Sequence, residues 1–150
     1  MAVLKSTKAP QPVRGEIVTK RDIATRWTPL LAKSFTAIST YFLDHYSALT
    51  PPLRYSEALL VIHLIRHKWG KDAPYPSWAR LAAYMGLTPM AVRNIARSLQ
   101  DKGYLLKAQR TTGTKTNNFH LEPLFAALEK HLATNPHGYK MRVMATEDDE

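Results

Sequence analysis

Residues 81–99 read LAAYMGLTPMAVRNIARSL, two runs of helical spacing that meet at a glycine. Ser77 is placed to cap a helix running through Met85, and Gly86 ends it. Thr88 then caps a second helix in which Pro89 holds the first position, where a missing N–H costs nothing. Val92, Ile95, Ala96 and Leu99 fall on one side of that helix, which closes at Gly103. Ala82 stands where two helices cross closely and a larger side chain would separate them. Gly86 permits a positive-φ turn, and Val92 plugs the second helix back onto the first.

Two alternating segments follow, YLLKAQR and NNFHL, joined by TTGTKTN, a pattern that predicts a β-hairpin with a small polar tip. Helix, sharp turn, helix and hairpin is the order of a winged helix-turn-helix. With Val92, Ile95 and Leu99 turned inward, Pro89, Met90, Arg93, Asn94 and Arg97 point outward on helix 88–102 and form the predicted reading face. The N-terminal half of such a helix enters the major groove of double-stranded DNA. There Arg93 or Arg97 suits guanine, Asn94 adenine, and Met90 or Ala91 a thymine methyl.

Ser77 and Thr88 bring hydroxyls and free N–H groups to helix starts, where a phosphate is favoured. From Thr88 to Asn118 the cations are Arg93, Arg97, Lys102, Lys107, Arg110 and Lys115 against the single acid Asp101, a net +5. Lys102, Lys107, Arg110, Thr114, Lys115 and Asn117 are therefore expected to follow the DNA backbone, with residues 111–117 as a wing on the backbone or in the minor groove.

From about Phe35 to Leu132 the chain resembles the winged helix-turn-helix domains of bacterial and phage replication-initiation and DnaD-type proteins and of related small regulators. The carrying residues are FTAIS, YSEALLVIHLI, YPSWARLAAYMGLTPMAVRNIARSLQDKGYL and NNFHLEPLFAAL. Against a pattern PSxxxLAxxxGLSxxTVxxxxxxLxxxGL, the matching positions are Pro76-Ser77, Leu81-Ala82, Gly86-Leu87, Thr88, Ala91-Val92, Leu99 and Gly103. Thr replaces Ser at 88, Ala replaces Thr at 91, and Tyr104-Leu105 stands for the usual Leu-Ile. The resemblance implies DNA binding through helix 88–102 and the wing. No counterpart of the additional C-terminal domain of the longer replication proteins follows, so a stand-alone transcriptional regulator is the simpler expectation. The alternative is a replication-initiation or replisome accessory, or a plasmid or phage maintenance protein, using the same winged helix for DNA or protein contacts.

The rest of the chain divides around this core. Residues 1–14 carry Lys5, Lys8, Arg14, Pro10 and Pro12 without helical or strand period and are expected to be a mobile basic arm. Residues 15–133 are expected to form one mainly α domain with a small β-hairpin, extra N-terminal helices and a C-terminal helix, and 134–150 a tail with an acidic end. Thr19 is placed to cap a short helix with Ile23, Ala24 and Trp27, and Thr28-Pro29 to start another. FTAIS, 35–39, alternates like a short strand; YFLDHYSAL returns to helical spacing, and LTPPL breaks it. Ser56 is expected to cap a central helix through Trp69 to a Gly70 stop, with Tyr55 stapled onto Leu60. In LFAALEKHL, Leu124, Leu128 and Leu132 recur every four residues and predict an amphipathic helix.

Composition agrees with this plan. The 150 residues are 45% hydrophobic, with no apolar run near the ~18 residues that span a bilayer and no secretory signal in MAVLKSTKAPQPVRGE. The net charge is +9, and because Glu147, Asp148, Asp149 and Glu150 sit at the very end, the remainder carries +13, which attracts polyanions. With no cysteine, disulfides and thiolate chemistry are excluded, which suits a reducing cytoplasm. His63 and His67 have two-histidine metal spacing, but Arg66 and Lys68 flank them and no third ligand follows, so they read as polar-face histidines. GTKT at 113–116 lacks the earlier glycine of a phosphate loop, and there is no GxSxG and no close carboxylate pair. No enzyme, metal or cofactor is expected. The expected partners are double-stranded DNA and a second copy of the chain, and no membrane.

Overall fold

The computed structural model describes residues 22–106, 109–110 and 117–135. The chain falls into two compact units, one up to Phe35 and one from Thr36 onward. In the first, α1 (Ile23–Arg26) follows Asp22, and a 3₁₀ turn spans Leu31–Lys33. Thr28 Oγ1 accepts from the Leu31 N–H at 3.1 Å, but the 3₁₀ turn starts at Leu31 with Leu30 as its cap, so Pro29 does not hold the first helical position. Thr19 lies outside the described residues.

The second unit is mainly helical. Its elements are α2 (Thr40–His45), α3 (Tyr55–Arg66), α4 (Trp78–Met85), α5 (Pro89–Asp101), β1 (Gln109–Arg110), β2 (Asn117–Asn118) and α6 (Glu122–Thr134). Helices α3, α4 and α5 pack on one another in all three pairings, and α2 packs on α6. Leu60, Leu64, Leu81, Val92, Leu99, Phe119 and Leu124 form the interior, each fully buried. Burial of this kind is the main source of stability in a domain of this size.

Both glycines that end helices take the left-handed conformation that a side chain resists: Gly86 at φ +64 and Gly103 at φ +80. After α4, the N–H groups of Gly86 and Leu87 both close on the Ala82 carbonyl. After α5, Tyr104 N–H returns to the Leu99 carbonyl at 3.0 Å. Ala82 is buried in the α4 crossing, as its small size requires.

β1 and β2 pair antiparallel, Gln109 with Asn118 and Arg110 with Asn117. The pairing continues inward through Leu106 N–H to the His120 carbonyl, and Phe119 N–H reaches the Pro74 carbonyl at 2.9 Å. The connecting residues 111–116 lie outside the described residues.

Four expectations are corrected. FTAIS is not a strand, because an alternating pattern of this length needs a ladder partner, and the segment instead ends at Ser39, whose Oγ caps α2 through Phe42 N–H. α3 begins two residues earlier than the Ser56 cap implies, at Tyr55 with Arg54 as its cap, and the Glu57 carboxylate accepts from Arg54 N–H at 2.9 Å. Tyr55 is thereby the first helical residue and turns to solvent, so no staple onto buried Leu60 forms. The same helix ends at Arg66, not Trp69; its last turn tightens through His67 N–H to Leu64 O and Lys68 N–H to Ile65 O. Among the described residues no helix is long and apolar enough to cross a membrane.

Candidate nucleic-acid interface

The predicted reading face stands on α5. Thr88 Oγ1 accepts from Ala91 N–H at 3.2 Å and Pro89 fills the first turn, so the helix start is set by local chemistry. Val92, Ala96 and Leu99 are buried and Ile95 is half-buried, which turns Pro89, Met90, Arg93, Asn94 and Arg97 to solvent. The structure brings those five residues onto one exposed face.

Two of them have defined neighbours. The Arg93 guanidinium lies 6.0 Å from the Trp78 ring centre, the outer limit of a cation–π contact. Trp78 is in turn held edge-on to buried Phe119, with centroids 5.1 Å apart. Asn94 borders a shallow cleft of about 160 Å³ with Arg54, Ser56, Glu57, Ile95 and Ser98. Arg54 is an exposed cation beside α5, and sequence spacing does not reveal it because 40 residues separate it from Asn94. Its only signal in the sequence is its place next to the start of α3.

Of the expected backbone contacts, Ser77 and Thr88 are both helix caps; Ser77 Oγ accepts from Arg80 N–H at 3.1 Å. Ser77 is half-buried and Thr88 exposed. Lys102 is corrected: its ammonium turns inward, donating to Glu57 Oε1 at 2.6 Å and to the Pro52 carbonyl at 2.9 Å, with its side chain 20% exposed. A helix C-terminus beside a buried carboxylate holds a lysine more strongly than solvent does. Arg110 and Asn117 lie in the strand pair, and Lys107, Thr114 and Lys115 fall outside the described residues.

The Glu57 group fastens the base of α5 to the start of α3. Its carboxylate is 1% exposed and accepts from Lys102, Arg54 N–H and the Ser98 hydroxyl. Burial opposes its ionisation, but those hydrogen bonds and the Lys102 charge outweigh burial and hold the carboxyl below its ordinary range. Tyr104 adds a bond to the Pro51 carbonyl, and burial followed by the Glu57 charge pushes its hydroxyl pKa up.

At the other end of α3, His63 and His67 stack near-parallel on Tyr84 of α4, with ring centres 5.3 and 5.6 Å away. Burial, then the Arg66 charge, lowers both imidazole pKa values, with His67 acting further on His63 and Arg80 on His67. Among the described residues no group of three or more histidines or carboxylates is placed to hold a metal ion.

The crystal structure of the N-terminal domain of DnaD protein from Geobacillus kaustophilus HTA426 is similar at a TM-score of 0.54 and 26% identity, covering 75% of this chain and 92% of that one. Among the curated proteins there is no match. The DnaD N-terminal domain matches residues 38–137, two thirds of the sequence. By that match the chain belongs to the DnaD N-terminal domain family, and with it to the replication-related of the two functions drawn from the sequence.

Proposed function

We propose that this chain is a DNA-binding module of the replication-related DnaD type, not an enzyme, built as a winged helix-turn-helix and acting in the cytoplasm. Helix α5 lies in the major groove, Met90, Arg93, Asn94 and Arg97 meet base edges, and Arg54, Ser77 and Thr88 meet phosphates. The wing read from the sequence at 111–117 follows the backbone or enters the minor groove. A second copy would carry a second α5 to a paired half-site.

The observation that carries this reading is the exposed face of α5. It presents two arginines and an asparagine on a helix whose opposite face is locked in the core, and its lone acid, Asp101, is the last residue. Membership of the DnaD family favours a replication accessory over a stand-alone transcriptional regulator.

The test is duplex binding as a function of salt. Without Lys102, about four phosphate contacts per protomer give a log–log slope near −4; a slope near zero would remove DNA from the account. Arg93→Ala should lower discrimination between a selected duplex and random duplex by about 1–3 kcal/mol, and equal loss on both would deny Arg93 a base-reading role. Bound sites clustered at promoters would return the transcriptional reading. A single-chain mass in the DNA complex would exclude the dimer.

A further inference from the structure

A second basic surface lies at the junction of α3 and α4, and the reading helix makes no use of it. After α3, the chain runs Lys68-Trp69-Gly70-Lys71-Asp72, and the Lys68 ammonium donates to the carbonyls of Gly70 at 2.6 Å and Asp72 at 3.0 Å. The lysine thus closes its own loop, and the indole between these contacts is 94% exposed. Two residues before Trp69, His67 stacks on Tyr84, and the Arg66 guanidinium sits 4.1 Å from the same ring. Trp69 therefore lies at most about 7 Å, Cα to Cα, from His67, the residue that stacks on that ring.

The charge around these planes is one-sided. Arg66, Lys68, Lys71 and Arg80 are the cations, and from Ala58 to Gln100 the sequence holds one acid, Asp72. We infer that this corner, built on Trp69, Tyr84 and Arg66, is a stacking site for single-stranded nucleic acid. A single strand offers unpaired base faces to the indole and the guanidinium and phosphates to the neighbouring cations. In a duplex the base faces are already stacked on each other, so an indole gains nothing there. A lipid surface would reward several contiguous apolar side chains, whereas Trp69 is flanked by Lys68, Gly70, Lys71 and Asp72.

This inference goes beyond duplex reading by α5 and fails separately from it. The full chain is titrated at low salt with an oligothymidine of about 16 nucleotides and with a duplex of equal length. Trp69→Ala should weaken the oligothymidine about tenfold, the loss of one stacked base, with duplex affinity and melting temperature unchanged. Trp69→Phe should restore most of the binding, because a ring remains to stack on. Arg97→Ala should do the reverse and weaken the duplex alone. The assignment is overturned if the wild-type chain ignores oligothymidine, if Trp69→Ala binds it as tightly, or if both nucleic acids lose equally. It is overturned too if Trp69→Ala loses binding only to phosphatidylserine vesicles, which would make the indole a lipid contact.

Discussion

The two ends of α3 handle buried polarity in opposite ways. At the start, Glu57 is surrounded by an ammonium, a hydroxyl and a backbone N–H, all within 3.2 Å. At the finish, His63 Nδ1 and His67 Nε2 are buried and have no hydrogen-bond partner among the described residues; their rings lie against Tyr84 instead. The satisfied end holds a geometry, since each group has one best position. The stacked end rests on flat, non-directional contacts, which tolerate sliding. The two proposals divide in the same way: base reading by α5 calls for the first kind of support, and sequence-tolerant strand binding for the second.

This contrast breaks most visibly at Lys102. Lys102→Met leaves the Glu57 carboxylate buried without its counter-charge and should cost about 3 kcal/mol, read by denaturant unfolding. A loss below about 0.5 kcal/mol would make the pair incidental. Glu57→Gln keeps the shape but removes the charge and should cost about 2 kcal/mol.

Acid should expose the same pair in the wild-type chain. The folded Glu57 pKa lies below its ordinary 4.5, so its contribution is whole above that pH and is lost as pH falls through the folded value. A melting temperature whose acid decline is the same in Glu57→Gln and wild type would contradict this.

At the other end of the helix the changes are smaller and can run the other way. His67→Phe gives up no hydrogen bond and keeps a ring on Tyr84, so stability should hold or rise by up to about 1 kcal/mol. A loss comparable to Lys102→Met would erase the distinction between the ends.

The smallest effect is the histidines' own titration. Both are lowered from 6.5 by burial and by Arg66, so the unfolded chain takes up protons first and stability should slip as pH drops below 6.5. Replacing both histidines by Phe should flatten that slope.

What was legible in the sequence was local. Ser77, Thr88 and Pro89 act within one helical turn, Gly86 within one backbone turn, and Val92 by its period, so each could be placed without knowing the rest of the chain. Lys102 was misread because its partner lies 45 residues away, and a lysine near a helix end looks the same in sequence whether it meets solvent or a carboxylate. FTAIS misled for a related reason: alternation describes a strand, but only a neighbouring strand makes one. Arg54 and the Tyr84 stack were invisible because they exist only once α3 has been laid across α4 and α5.

Helix α5 is 13 residues long and is bounded by Thr88 with Pro89 at one end and Gly103 at the other. Each residue inserted or deleted inside it would rotate everything beyond by about 100°, carrying Val92 or Leu99 out of the core as surely as it moved the arginines. Change on the exposed face of α5 is therefore confined to exchange of side chains at fixed length. Met90, Arg93, Asn94 and Arg97 can vary one by one with little cost to the core, while a single-codon insertion between them should be lost at the level of folding, before any change in binding is tested.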